Sequence, residues 1–222
     1  MLHTLPYTVD STLLNKAQGS VPAVESKLTI NQPTGNFFYD PWDIKEEFKG
    51  TVWETLLNTL PLDIGEARII VLGNGTTYMS HTDIDDRYHL SLKGQYSFLI
   101  NVDDEKMYPT VADGQWYEMN TGLRHVAANF GSYDRAQLVV RKLLNNPTLE
   151  NYTTVTIKPI CENPRFEFDD LISPWLNKIN KQHLINNFSI LQDGVSFNLD
   201  IDAIHELDNI DKQIEFRRQI NR

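Results

Sequence analysis

His81-Thr82-Asp83 sets an imidazole and a carboxylate two residues apart, at the end of the segment Gly75-Thr76-Thr77-Tyr78-Met79-Ser80-His81-Thr82-Asp83. On a strand, residues i and i+2 share a face, so both side chains would point at one place. Imidazole and carboxylate are ligands for a divalent metal, and a second imidazole from a distant strand would complete a 2-His-1-carboxylate set. Such a set leaves three positions open on a ferrous ion. Of the six histidines, His81, His89 and His125 fall in the strand-rich part of the chain. His125 lies near the end of that part, and in a jelly roll early and late strands run side by side, which brings it within reach of His81 and Asp83.

Arg135 follows His125 across the turn Gly131-Ser132-Tyr133-Asp134. A guanidinium holds a carboxylate by two parallel hydrogen bonds, which an ammonium cannot do. It therefore suits the far end of a dicarboxylate whose near end chelates the metal. His3, His183 and His205 have no partner at useful spacing and read as surface or structural residues.

The elements that must position these groups follow from periodicity. Arg68-Ile69-Ile70-Val71-Leu72 is a buried-strand run ended by Gly73-Asn74-Gly75. Thr76–Asp83, Arg87–Leu92, Tyr96–Val102, Met107–Val111, Gln115–Met119, Arg124–Phe130 and Ala136–Leu143 follow as short strands at about 8–12-residue spacing, with Thr153–Ile160 as one more. The expected fold is mainly β with flanking helices around a double-stranded β-helix, a cupin-like jelly roll. Three parts are expected: residues 1–66 as an extended and helical lead-in packed on the core, 67–160 as the jelly roll, and 161–222 as a helical extension.

In the lead-in, Pro6, Pro22, Pro33 and Pro41 break regular structure, and Asp10–Lys16 alone looks briefly helical before Trp42–Leu60. Phe37-Phe38-Tyr39-Asp40-Pro41-Trp42 is too apolar for a free linker and suits packing on the core or a pocket rim. In the extension, Phe168–Phe188 and Asp200–Ile220 carry apolar residues at helical spacing. The helices brace the core in the plainer reading; a homodimer through the last helix is the alternative.

The chain has 222 residues, 41% hydrophobic and 23% charged, enough for a proper core. A net charge of -10 and a pI near 5.0 disfavour nucleic acid and anionic lipid as partners. Cys161 is the single cysteine, which excludes an internal disulfide and a Cys-rich zinc site. The first residues lack the pattern of a signal peptide, and no run approaches the ~18 apolar residues of a membrane span, so a cytoplasmic protein is expected.

The stretch from Gly75 to Arg141, about a third of the chain, resembles the aspartyl/asparaginyl β-hydroxylase-type branch of the iron(II)- and 2-oxoglutarate-dependent oxygenases, which includes hydroxylases of free proline. The shared pattern is Gly75-Thr76 before His81, the strand Arg87-Tyr88-His89-Leu90-Ser91-Leu92, the strand Gly114-Gln115-Trp116-Tyr117-Glu118-Met119-Asn120 leading to His125, and Arg135. The resemblance implies His81, Asp83 and His125 as Fe(II) ligands. It implies Arg135 on the distal carboxylate of 2-oxoglutarate, with His89 and Arg87 assisting from the neighbouring strand. Some members carry glycine at the Asp83 position. Where the family often has a serine on the first strand, this chain has Ile70. The implied reaction uses 2-oxoglutarate and dioxygen, releases succinate and carbon dioxide, and hydroxylates a C–H bond of a small-molecule or peptide substrate. Tyr78, Trp116 and Asn120 are candidate pocket residues, with core packing and turn formation as the plainer readings. The rival readings are a cupin-type metal enzyme that does not use 2-oxoglutarate and a non-catalytic jelly-roll binding protein.

Overall fold

The computed structural model describes residues 2–22, 27–158 and 168–220. Cys161 and the end of the strand expected over Thr153–Ile160 lie outside them. The chain divides into two compact units: residues 1–81 with 85–143, and residues 82–84 with 144–222.

The first unit opens with β1 (Leu2–Thr8), α1 (Ser11–Gly19), β2 (Lys27–Thr29), β3 (Asn31–Pro33), β4 (Trp42–Ile44) and α2 (Val52–Leu57). Then come β5 (Ile64–Leu72), β6 (Thr76–Thr77), β7 (Arg87–Lys93), β8 (Ser97–Asn101), β9 (Lys106–Pro109), β10 (Gln115–Met119), β11 (His125–Asn129) and β12 (Arg135–Lys142). One sheet runs β1-β10-β7-β12-β5-β2 and the other β6-β11-β8-β9. The four strands β10-β7-β12-β5 and the four of the second sheet are the two walls of a double-stranded β-helix, the expected core. Among the described residues no helix is long and apolar enough to cross a membrane.

The larger sheet has two unlike faces. Ala67, Ile69 and Val71 of β5, Tyr88, Leu90 and Leu92 of β7, and Ala136, Leu138 and Val140 of β12 alternate along their strands. They are buried in one cluster with Leu14 and Ala17 of α1 and Val52, Trp53 and Leu56 of α2. Side-chain caps start both helices: Asp10 accepts from the Leu13 amide at 2.9 Å, and Thr51 from the Trp53 amide at 3.2 Å. The intervening residues, Arg87, His89 and Ser91 on β7 and Arg135, Gln137 and Arg141 on β12, are polar and share the other face. The helices thus seal one side of the sheet and leave the polar residues on the other.

The lead-in is more regular than its prolines suggest. β1 pairs with β10 and β2 with β5, so it supplies both edge strands of the larger sheet. Pro6 is tolerated because an edge strand has one row of amides with no ladder partner.

In the second unit, β13 (Tyr152–Ile157), β15 (Gly194–Asp200) and β14 (Ile185–Leu191) form a sheet in the order β13-β15-β14. A π-turn (Phe168–Ile172), α3 (Ser173–Lys181) and α4 (His205–Ile220) complete it. Its core includes Trp175 of α3, set edge-on to Phe197 of β15 at 5.9 Å, with Leu176, Ile179, Phe188 and Leu199. Two expectations change here. The helix expected over Phe168–Phe188 stops at Lys181, where His183 takes φ 60° and the chain turns into a strand. Residues 185–200 form a hairpin in which Gln192-Asp193 turn between the paired residues Leu191 and Gly194. Ile210 and Ile214 of α4, in the segment considered for a dimer, are buried, whereas Ile201 and Ile204 just before the helix are exposed.

Candidate metal centre and anion seat

His125 begins β11, and His81 meets it through an isolated antiparallel bridge. The two exchange backbone hydrogen bonds, His81 N to His125 O at 3.1 Å and His125 N to His81 O at 2.9 Å. Regular pairing ends earlier, at Thr77 opposite Ala128. One more residue separates the pairs on the His81 side than on the β11 side, the count of a β-bulge, a device that re-aims side chains at the rims of barrels. Strand β6 is therefore only Thr76–Thr77, and Asp83 arrives by the loop after the bridge rather than by strand alternation.

The potential ligand atoms of His81, Asp83 and His125 all lie within 4.8 Å of one another. The imidazole centroids are 4.4 Å apart. His81 Nδ1 is 2.9 Å from the Met79 carbonyl and His125 Nδ1 is 3.0 Å from the Leu123 carbonyl. A carbonyl only accepts, so each Nδ1 carries the proton and each Nε2 presents its lone pair. That is the tautomer a metal-binding histidine needs, held by an outer hydrogen bond. The donor set, two imidazoles and a carboxylate, fits a single first-row divalent ion.

Arg135 opens β12 and is 2% exposed. Its Nη2 donates to Gln137 Oε1 and its Nε to Thr110 Oγ1 at 3.4 Å. Among the described residues no carboxylate pairs with it. Burial pulls its pKa down to about 10, with the Tyr78 phenol acting in the opposite direction. His89, one strand over, has Nδ1 3.2 Å from the same Gln137 Oε1. Burial, and then the Arg135 charge, lower its pKa to about 3, so the ring is neutral. Gln137 Nε2 donates to Ser91 Oγ at 3.0 Å, and Ser97 and Thr110 share a 2.6 Å hydroxyl contact.

Arg87 stands one rung along the same face. Its Nη1 donates to Asp85 Oδ2, and Arg141 Nη1 reaches both oxygens of that carboxylate at 2.8 and 3.0 Å. Arg141 Nε also meets Glu66 at 3.3 Å, and its guanidinium lies 5.1 Å from the Phe37 ring centroid. The aromatic cluster of the lead-in therefore packs on the core, as expected from its apolarity.

The remaining pocket candidates are spread apart. Tyr78 is half-exposed, and its amide donates to the Ala127 carbonyl at 2.9 Å. Trp116 is fully buried in the helix-packed core, on the face away from His89, with Nε1 donating to Thr59 Oγ1 at 2.9 Å. Asn120 accepts from the Gly122 amide at 3.1 Å, a turn contact in the loop before His125.

Three participants escape a sequence reading. Gln137 and Ser91 read as strand fill, and Asp85 as a loop residue. A signal for Gln137 existed: an amide at i+2 from Arg135, in a strand otherwise aliphatic until Arg141.

No family model matches this sequence. No curated protein matches it either. Solved structures share part of the strand architecture. An oxidoreductase of the 2OG-Fe(II) oxygenase family from Burkholderia pseudomallei overlaps 63% of this chain and 82% of its own, at 15% identity and a TM-score of 0.46. A prolyl-4-hydroxylase from Pseudomonas putida overlaps 63% of this chain and 90% of its own, at 12% identity and a TM-score of 0.39. A cupin domain from Bordetella pertussis overlaps 34% of this chain and 78% of its own, at 12% identity and a TM-score of 0.31. What the site can do follows from its own residues.

Proposed function

We propose that this protein is an iron(II)- and 2-oxoglutarate-dependent oxygenase that hydroxylates an amino acid or a peptide side chain, with succinate and carbon dioxide as the other products. The observation that carries the reading is Arg135. A buried guanidinium whose partners are a neutral amide and a hydroxyl has no charge compensation among the described residues, which is costly in a low-dielectric interior. Its natural complement is an anion from outside the chain. The seat lies on the site-facing side of the sheet, where His125 acts electrostatically on His89.

His81, Asp83 and His125 would hold the ferrous ion, whose chemistry when bound is activation of dioxygen. Arg135 binds and orients the distal carboxylate of the co-substrate. Gln137 and Thr110 hold the guanidinium in place, and Arg87 adds positive potential one rung along. The helix-packed face keeps water from the back of the sheet. A metal enzyme of the cupin type whose substrate and co-substrate carry no anion would leave Arg135 without a counter-ion.

Anaerobic addition of Fe(II) and 2-oxoglutarate tests the reading. A weak metal-to-ligand charge-transfer band should develop in the visible. A well-folded protein that gives no band would sink the proposal. A succinate-release screen with free amino acids and peptides would then identify the substrate.

A further inference from the structure

We propose that the dicarboxylate enters this seat together with one proton, taken up on Nε2 of His89; the inference rests on the co-substrate reading above.

The starting point is donor and acceptor bookkeeping around Gln137. A guanidinium only donates, so the amide atom facing Arg135 is Oε1, and Nε2 is the atom that donates to Ser91. The same Oε1 is the atom 3.2 Å from His89 Nδ1. It only accepts, so Nδ1 carries the hydrogen. In the neutral ring the lone pair is then on Nε2, which is buried and has no hydrogen-bond partner among the described residues. A buried polar atom without a partner calls for an explanation.

Burial first, and then the charged and titratable groups around His89, keep the ring neutral without a ligand. Arg135 on β12, His125 on β11 and Arg87 on its own strand act on it electrostatically, and all three disfavour a second positive charge. Tyr117 is its register partner on β10, with its hydroxyl donating to Asp113 at 3.0 Å. No carboxylate is among the groups acting on the ring.

A carboxylate seated on Arg135 reverses that balance. Against a bare Nε2 it would set lone pair against lone pair. Against a protonated Nε2 it accepts a charge-assisted hydrogen bond. The step balances simply: a solvent proton bonds to the Nε2 lone pair, the ring becomes imidazolium, and nothing is oxidised or reduced. Gln137 is the positioning residue, since by accepting from Nδ1–H it leaves Nε2 as the atom that gains the proton.

The test uses the full chain loaded with Zn(II), a diamagnetic stand-in for iron, and 2-oxoglutarate as probe. Calorimetry at pH 6.5, in two buffers of unlike ionisation enthalpy, counts protons taken up on binding. Ring 15N shifts, assigned by the signal missing in His89→Gln, report the state of His89 directly. Wild type should take up close to one proton, and its His89 signal should move from the neutral to the imidazolium pattern. Between the pKa of ligand-free His89 and its higher value in the complex, Kd should weaken about ten-fold per pH unit as pH rises, and it should level off above that. His89→Gln keeps a neutral donor and should bind with little uptake and a flat pH profile. Wild-type binding without uptake, a His89 signal that stays neutral, or equal uptake in His89→Gln would overturn the proton coupling and leave the co-substrate reading standing. Absence of any 2-oxoglutarate binding by wild type would overturn both.

Discussion

His81 and His125 exchange both of their backbone hydrogen bonds, at 3.1 and 2.9 Å, so the spacing of the two imidazoles is fixed by main chain. Removing either ring leaves that bridge in place. His81→Ala and His125→Ala should each weaken Zn(II) or Mn(II) binding by at least ~100-fold, while secondary structure and the unfolding midpoint change little. Circular dichroism and a metal titration check this. A variant that binds metal as wild type does would remove that histidine from the ligand set.

Arg135 separates stability from binding. As a buried cation without a counter-ion it burdens the ligand-free fold, so Arg135→Met should raise ligand-free stability, by about 1 kcal/mol or more in urea unfolding, and abolish 2-oxoglutarate binding. Arg135→Lys keeps the charge but loses the fork. It should weaken 2-oxoglutarate by roughly 10–100-fold and leave metal affinity nearly intact. If metal and 2-oxoglutarate affinity fall together, the role given to Arg135 is wrong.

How far the sequence reveals this arrangement depends on what kind of signal each part carries. The walls of the core were legible because their alternation is strict: in Arg135-Ala136-Gln137-Leu138-Val139-Val140-Arg141, polar and apolar positions point to opposite faces, and only Val139 breaks the pattern. The cluster of His81, Asp83 and His125 was legible from residue type, though its geometry was not: the bulge that aims His81 and the loop that carries Asp83 leave no periodic trace. β1 and β2 leave little trace in the sequence because edge strands pair on one side only and tolerate Pro6. The first strand of the hairpin begins inside the expected helix because Leu184, Ile185 and Phe188 also satisfy helical spacing; the local conformation at His183 decides it. Gln137 was invisible as a functional residue because its role comes from cross-strand neighbours, which only the register supplies.

Asp85 holds two arginines, Arg87 and Arg141, with a carboxylate only 3% exposed. Removing one member of a buried ion network leaves the others uncompensated, which costs about 3–5 kcal/mol. Asp85→Ala should therefore lower stability by that order in urea unfolding. Glu66, half-buried and already shared between Arg68 and Arg141, is less committed, and Glu66→Gln should lose clearly less. Equal losses from both variants would contradict this ranking.

His89 gives the ligand-free protein a definite acid limb. Its pKa falls from an ordinary value of 6.5 to about 3, so between those values the unfolded chain binds a proton that the folded chain does not. Stability from this group is thus fully present above about pH 6.5 and is lost as pH falls toward 3. The total loss is on the order of 5 kcal/mol at most, at about 1.4 kcal/mol per pH unit. Urea unfolding of wild type and His89→Gln at pH 7.5, 6, 5 and 4 isolates it, since every other group is common to both. The wild-type curve should fall more steeply below pH 6.5, and the gap between the two proteins should widen downward. With 2-oxoglutarate bound the sign should reverse, because the complex then holds the proton, and affinity should strengthen as pH falls toward 6.5. Parallel stability curves would mean that His89 titrates alike in the folded and unfolded chains.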